Sequence, residues 1–186
     1  AHYGTGPEPG PLAVLVPGQG SQATGMLRDL ACLFPEFLDS LAAADAACAD
    51  GAEACRLSDL IYPPRSFDPG AKARQDADLR KTHNAQPALG AVSLGAWRVL
   101  SERFGVTAGA FAGHSYGELV ALAAAGRFSP PDLFALSRLR GRLMGEPREG
   151  DPGAMLAVLA PFADVERVLG EHALDLLSGN KNAPNQ

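Results

Sequence analysis

The chain has 186 residues, 46% hydrophobic and 20% charged, the balance of a globular domain able to bury its own core. Its net charge is −5, with arginines and acids interleaved, which excludes a basic stripe for nucleic acid. Three cysteines, Cys32, Cys48 and Cys55, show no C-x-x-C spacing. Neither a disulfide framework nor a metal site is expected from them, and a reducing, cytoplasmic setting fits. No segment approaches the roughly 18 consecutive apolar residues of a membrane helix, so no membrane partner is expected.

Residues 1–11 are rich in Gly and Pro and read as a linker from a preceding domain. Leu12–Val16 is a short apolar run that predicts a buried strand, and Gly18–Gln22 predicts a loop after it. Met26, Leu30, Leu33, Phe37 and Leu41 recur at helical spacing, with Pro35 opening a second helical segment. Residues 61–81 turn polar and read as an exposed loop with some helix. Helical signal returns over Gln86–Leu100, Phe111-Ala112 precedes a Gly-rich turn, and Glu118–Ala125 is helix-forming. Ser129-Pro130-Pro131-Asp132 has the order of a helix start, and that helix is expected to reach Met144. After a turn-rich break at 146–153, Ala154–Leu159 reads as a strand and Phe162–His172 as a helix. Alternating strand, loop and helix imply an α/β fold with a largely parallel sheet.

Gly113-His114-Ser115-Tyr116-Gly117 fits G-x-S-x-G between a strand and a helix. In that setting a strained turn exposes the serine hydroxyl, and glycines let strand and helix approach closely. In a chain with 21 glycines the pentapeptide also arises by chance, and its flanks are what favour a nucleophile. Gly18–Gln22 follows the other strand, so its backbone amides, with that of Tyr116, are placed to receive a tetrahedral oxyanion. A phosphate-binding Walker loop would end in Gly-Lys-Ser/Thr, and Gly20-Ser21-Gln22 stands here instead.

On the helix from Pro130, Leu133, Leu136, Leu139, Leu143 and Met144 form an apolar stripe with Arg140 in its middle. Arg138 and Arg142 fall on the opposite, solvated side. An inward arginine needs a carboxylate, either an acid of this chain or that of a substrate.

Gly18-Gln19-Gly20-Ser21-Gln22, Gln86-Pro87-Ala88-Leu89, Gly113–Glu118 and Arg140-Gly141 stand in an order that resembles malonyl-CoA:acyl carrier protein transacylases. Acyltransferase domains of polyketide and fatty-acid synthases share them, and Tyr116 is most similar to iterative polyunsaturated fatty-acid or enediyne synthases. The resemblance runs from Leu12 to Gln186. It implies an α/β-hydrolase-like large subdomain over 12–152 and, over 153–186, the beginning of a small ferredoxin-like subdomain. Asn182–Gln186 resembles the family's Asn-x-Pro segment.

The same resemblance implies Ser115 as nucleophile, the Gln19 and Tyr116 amides as oxyanion hole, and Arg140 and Gln86 as substrate-binding. It implies no bound cofactor: a malonyl thioester of coenzyme A is the substrate, and the acceptor is the phosphopantetheine of an acyl carrier protein. Neighbouring synthase domains are the other expected partners. The family's general base is a histidine after the small subdomain, so this chain is expected to lack it, and none of His2, His83, His114 or His172 is expected to bond Ser115. A serine esterase or thioesterase, and a non-catalytic docking domain of a synthase, are the rival readings.

Overall fold

A computed structural model describes residues 6, 10–49, 56–145 and 154–186. Most of the expected linker, His2, Cys55, and the break at 146–153 with the expected subdomain border lie outside the described residues. The chain divides into two units, Ala1–Glu146 and Pro147–Gln186.

In the first unit, the apolar run after the linker forms β1 (Ala13–Val16) and the run before the Gly-rich turn forms β2 (Ala110–Gly113). They pair in parallel, with Val14 opposite Phe111 and Val16 opposite Gly113. Parallel neighbours need a long crossover, and it consists of α1 (Arg28–Leu33), α2 (Pro35–Cys48), α3 (Leu57–Ile61), α4 (Ala71–Arg80) and α5 (Thr82–Arg98). A π-helical turn, Val99–Arg103, closes α5. Beyond β2 come α6 (Gly117–Ala124) and α7 (Pro130–Gly145). The architecture is α/β, with two sheet strands among the described residues.

The core is built around α5, which packs against α2, α3, α4, α6 and α7. Its buried face mixes Leu89, Val92 and Leu94 with small residues: Ala85, Ala88 and Ala91 are fully buried, beside Gly90 and Gly95. Neighbouring helices come close in consequence. A Cβ on Gly95 would stand 3.1 Å from the Phe37 ring of α2. Ser40 of α2 donates to the Ala91 carbonyl at 2.9 Å, so even its buried hydroxyl is satisfied.

Several expectations change. The polar stretch 61–81 contains a ten-residue helix, α4, which buries Leu79 and anchors Asp76 on the Thr24 hydroxyl at 2.7 Å. The helix α5 starts at Thr82, ahead of Gln86, and holds Pro87 inside it. Pro87 removes the amide that would bond back to His83, and packing of the alanine face compensates. On α7 the packed face is Leu133, Phe134, Ser137 and Gly141, while Leu136, Leu139, Leu143 and Met144 are exposed. Close approach decides that face: a Cβ on Gly141 would lie 2.8 Å from His83 Cα, so α7 presses its small residues onto α5. Arg138, expected in solvent, donates to the Ala47 carbonyl in the last turn of α2, where a cation suits the helix end.

In the second unit, α8 (Phe162–Glu171) forms as expected, with Arg167 and Glu171 paired one turn apart at 2.7 Å. Lys181 Nζ stands 3.3 Å from the Phe162 ring centroid. Ala154–Leu159 is not a strand: it has no ladder partner among the described residues, and Met155 and Leu159 are exposed. Among the described residues no helix is long and apolar enough to cross a membrane.

Candidate active site

Between the end of β2 at Gly113 and the start of α6 at Gly117 the chain reverses in three residues. Ser115 takes φ of 54°, the left-handed region that an L-residue enters only when its surroundings enforce it. The turn is closed by the Gly117 amide donating to the His114 carbonyl at 2.9 Å and the Glu118 amide to the Ser115 carbonyl at 3.1 Å. Both glycines are required by contact. A Cβ on Gly113 would stand 2.1 Å from the Gly117 carbonyl carbon, and one on Gly117 would stand 2.4 Å from the Val16 carbonyl oxygen. The reversal leaves Ser115 exposed and turns Tyr116 fully inward.

The loop after β1 meets this turn at the same sheet edge. A Cβ on Gly18 would lie 2.5 Å from the His114 carbonyl oxygen and 3.0 Å from His114 Nδ1. The loop holds its own shape through the Ser21 hydroxyl on the Gly18 carbonyl (2.9 Å) and the Gly20 amide on Gln22 Oε1 (2.7 Å). Among the described residues, the backbone amides of Gln19 and Tyr116 have no acceptor. An unpaired amide following the exposed serine, at the N-terminus of α6, is suited to developing negative charge.

Gln19 is exposed, yet its side chain is pinned from below. Its Nε2 donates to Thr82 Oγ1 at 3.2 Å, and its Oε1 accepts from Gln86 Nε2 at 3.3 Å. Gln86 is fully buried, its Nε2 lies 3.6 Å from Met144 Sδ, and its Oε1 has no partner among the described residues.

Arg140 extends from α7 to Ser115: its Nη2 donates to Ser115 Oγ at 3.4 Å, a long bond. No carboxylate of the described residues pairs with it, so the intrachain ion pair weighed from the sequence is not formed there. Tyr116 Oη and Ser137 Oγ lie 2.6 Å apart, and Ser137 also donates to the Leu133 carbonyl at 2.6 Å. Burial pushes the Tyr116 phenol well above its ordinary pKa, with the Ser137 bond and the Arg140 charge opposing in part, so the group is a neutral phenol.

Ser115 thus bonds an arginine, and among the described residues no histidine bonds its hydroxyl. His114 is exposed beside Gly18, and His83 lies in the first turn of α5 against Gly141. Thr82 and Ser137 do not stand out in the sequence. The signal for Ser137 is that it and Gly141 are small residues one helical turn apart on α7, flanking Arg140.

The sequence profile described as acyl transferase domain matches residues 14–180. A polyunsaturated fatty acid synthase chain of a Thraustochytrium species is 33% identical over 95% of this chain and 6% of its own length. The malonyl CoA-acyl carrier protein transacylase of Escherichia coli is 34% identical over 80% of this chain and 43% of its own. An acyl carrier protein S-malonyltransferase from Vibrio cholerae superposes with a TM-score of 0.78 at 31% identity, over 94% of this chain and 53% of that one. The chain therefore spans about half the length, or less, of the relatives it matches.

Proposed function

The chain belongs to the acyl transferase domain family, and on that premise we propose that it moves malonyl from coenzyme A, through Ser115, to an acyl carrier protein. The observation that carries the reading is Arg140 Nη2 at 3.4 Å from Ser115 Oγ. Malonyl is a thioester carbonyl and a carboxylate one methylene apart, so a cation beside the nucleophile selects it over acetyl. Similarity to relatives named for malonyl transfer to acyl carrier protein supports the same substrate and partner.

In the proposed reaction Ser115 Oγ adds to the thioester carbonyl and gives its proton to a base. The resemblance assigns that base to a histidine downstream of Gln186. The amides of Gln19 and Tyr116 receive the oxyanion, and Gln86 serves the substrate pocket by holding Gln19. Collapse breaks the C–S bond, coenzyme A leaves as the protonated thiol, and a malonyl ester remains on Ser115. The phosphopantetheine thiol then attacks the ester, its proton returns to Ser115 Oγ, and malonyl leaves as the carrier protein's thioester.

Residues 12–152 are the proposed hydrolase-like subdomain and residues 153–186 the beginning of the ferredoxin-like one, in a cytoplasmic protein. Neighbouring synthase domains fit the synthase relative, of which the matched region is 6%.

The test is intact-mass analysis of the full-length chain after incubation with malonyl-CoA, beside Ser115→Ala. One malonyl adduct is expected on the first and none on the second. An adduct that persists on Ser115→Ala refutes the assignment. An adduct lost to water rather than discharged by carrier protein marks a thioesterase.

A further inference from the structure

Tyr116 carries two different groups: a backbone amide at the nucleophile and a phenol at the end of a fully buried ring. The phenol is held at one place by two neighbours. Ser137 Oγ lies 2.6 Å from Tyr116 Oη and is itself bonded to the Leu133 carbonyl at 2.6 Å, which fixes its rotamer on α7. On the other side stands α5, where a Cβ on Gly90 would be 2.3 Å from Tyr116 Oη, so glycine there makes the room that the oxygen occupies. Three residues beyond Ser137, hence almost one helical turn along α7, is Arg140, whose Nη2 reaches Ser115 Oγ at 3.4 Å.

These contacts close a ring: Ser115, the adjoining Tyr116, its phenol, Ser137, one turn of α7, Arg140, and Ser115 again. We propose that Ser137 is a positioning residue, whose bond to Tyr116 sets the distance between the nucleophile turn and the arginine that selects the acyl group. The inference rests on the proposed malonyl transfer. A ring of this kind acts on the choice between acyl groups, because slack in it moves Arg140 against Ser115 while leaving the serine, the oxyanion amides and the arginine present. A merely structural bond would act on folding and would lower all acyl transfers together. The contrast separates positioning from bulk stability.

The full-length chain is assayed with malonyl-CoA and acetyl-CoA in competition, reading the adduct on Ser115 by mass and kcat and KM for each donor. Tyr116→Phe removes one oxygen atom and keeps the ring and amide, and Ser137→Ala removes the other partner. Either is expected to lower the malonyl-over-acetyl preference about tenfold, the low end of what a charge-assisted bond is worth. The double variant is expected to be no worse than either single one, since both break the same link. If Ser137→Ala folds poorly because it strands a buried phenol, Tyr116→Phe carries the test alone. An unchanged preference in variants whose melting temperature has fallen, or losses that multiply in the double variant, overturn the tether. A wild-type chain that takes no malonyl overturns the transfer reading itself, and the tether with it.

Discussion

In the proposed site Ser115 sits on a strained backbone while Arg140 has no carboxylate partner among the described residues, and substitution separates the two. Arg140→Ala is expected to remove the charge and keep the strained turn in which Ser115 has φ of 54°. It is expected to lower the malonyl-over-acetyl preference by about ten- to a hundredfold, the worth of one charge-assisted hydrogen bond, while acylation by acetyl continues. Competition between the two thioesters, read by mass, checks it. Equal loss for both donors would make Arg140 a support for the turn instead. Gly113→Ala works on the other half. Its Cβ would stand 2.1 Å from a backbone carbon of Gly117, so the turn has to open and melting is expected well below the wild type, with adduct lost. A Gly113→Ala chain of normal stability and activity would show that the strand–helix contact is loose.

At the scale of elements, the start of α7 was legible in the sequence because its chemistry is local. Ser129 and Asp132 cap α7 reciprocally, with the Ser129 amide on Asp132 Oδ2 at 3.2 Å and the Asp132 amide on Ser129 Oγ at 3.3 Å. Ser129→Ala is expected to cost about 1 kcal/mol in chemical denaturation. The Ser129 hydroxyl and amide hold the Asp132 carboxyl below its ordinary pKa. Its stabilisation is therefore present above the unfolded carboxylate value of about 4 and fades as pH falls through the lower folded value. The difference between wild type and Ser129→Ala should narrow in that acid range, and a constant difference would show that Asp132 does not contribute. The packed face of α7 was not legible, for a non-local reason. Leucines at 136, 139 and 143 outweigh a serine and a glycine in any count of apolar residues, but Ser137 and Gly141 are what α5 and the Tyr116 phenol admit. Arg140 was singled out for lying on that leucine stripe, and because Leu136, Leu139, Leu143 and Met144 are exposed the stripe is not what brings it to Ser115. Its partner did not stand out, because contact between positions 140 and 115 depends on how α7 lies against α5. The strand expected at 154–159 failed similarly: an apolar run needs a neighbour to become a strand, and the described residues supply none.

For the first unit as a whole, α5 is the body on which the other helices lean, and its small residues make the packing intolerant of voids. Phe37 is fully buried against Gly95 and should cost about 3–5 kcal/mol as Phe37→Ala, since glycine has no side chain to fill the space. Trp97, the one tryptophan of the sequence, packs edge-on against Phe111 of β2 at 4.9 Å. Its fluorescence follows the strand that delivers Ser115, so one denaturation curve reads core and site together. A loss below 1 kcal/mol would mean that the helices close over the gap. The three glycines at the sheet edge carry a consequence for inheritance. Gly18, Gly113 and Gly117 each face backbone atoms at 2.5 Å or less, which no rotamer change can clear. Lineages descending from such a domain can vary freely on the exposed side of α7, at Leu139 and Leu143, while any codon change to another residue at these glycines is expected to force the turn open. New acyl preferences are then expected to accumulate as changes on the helices around an unaltered turn, and the turn itself should read nearly the same in every working descendant.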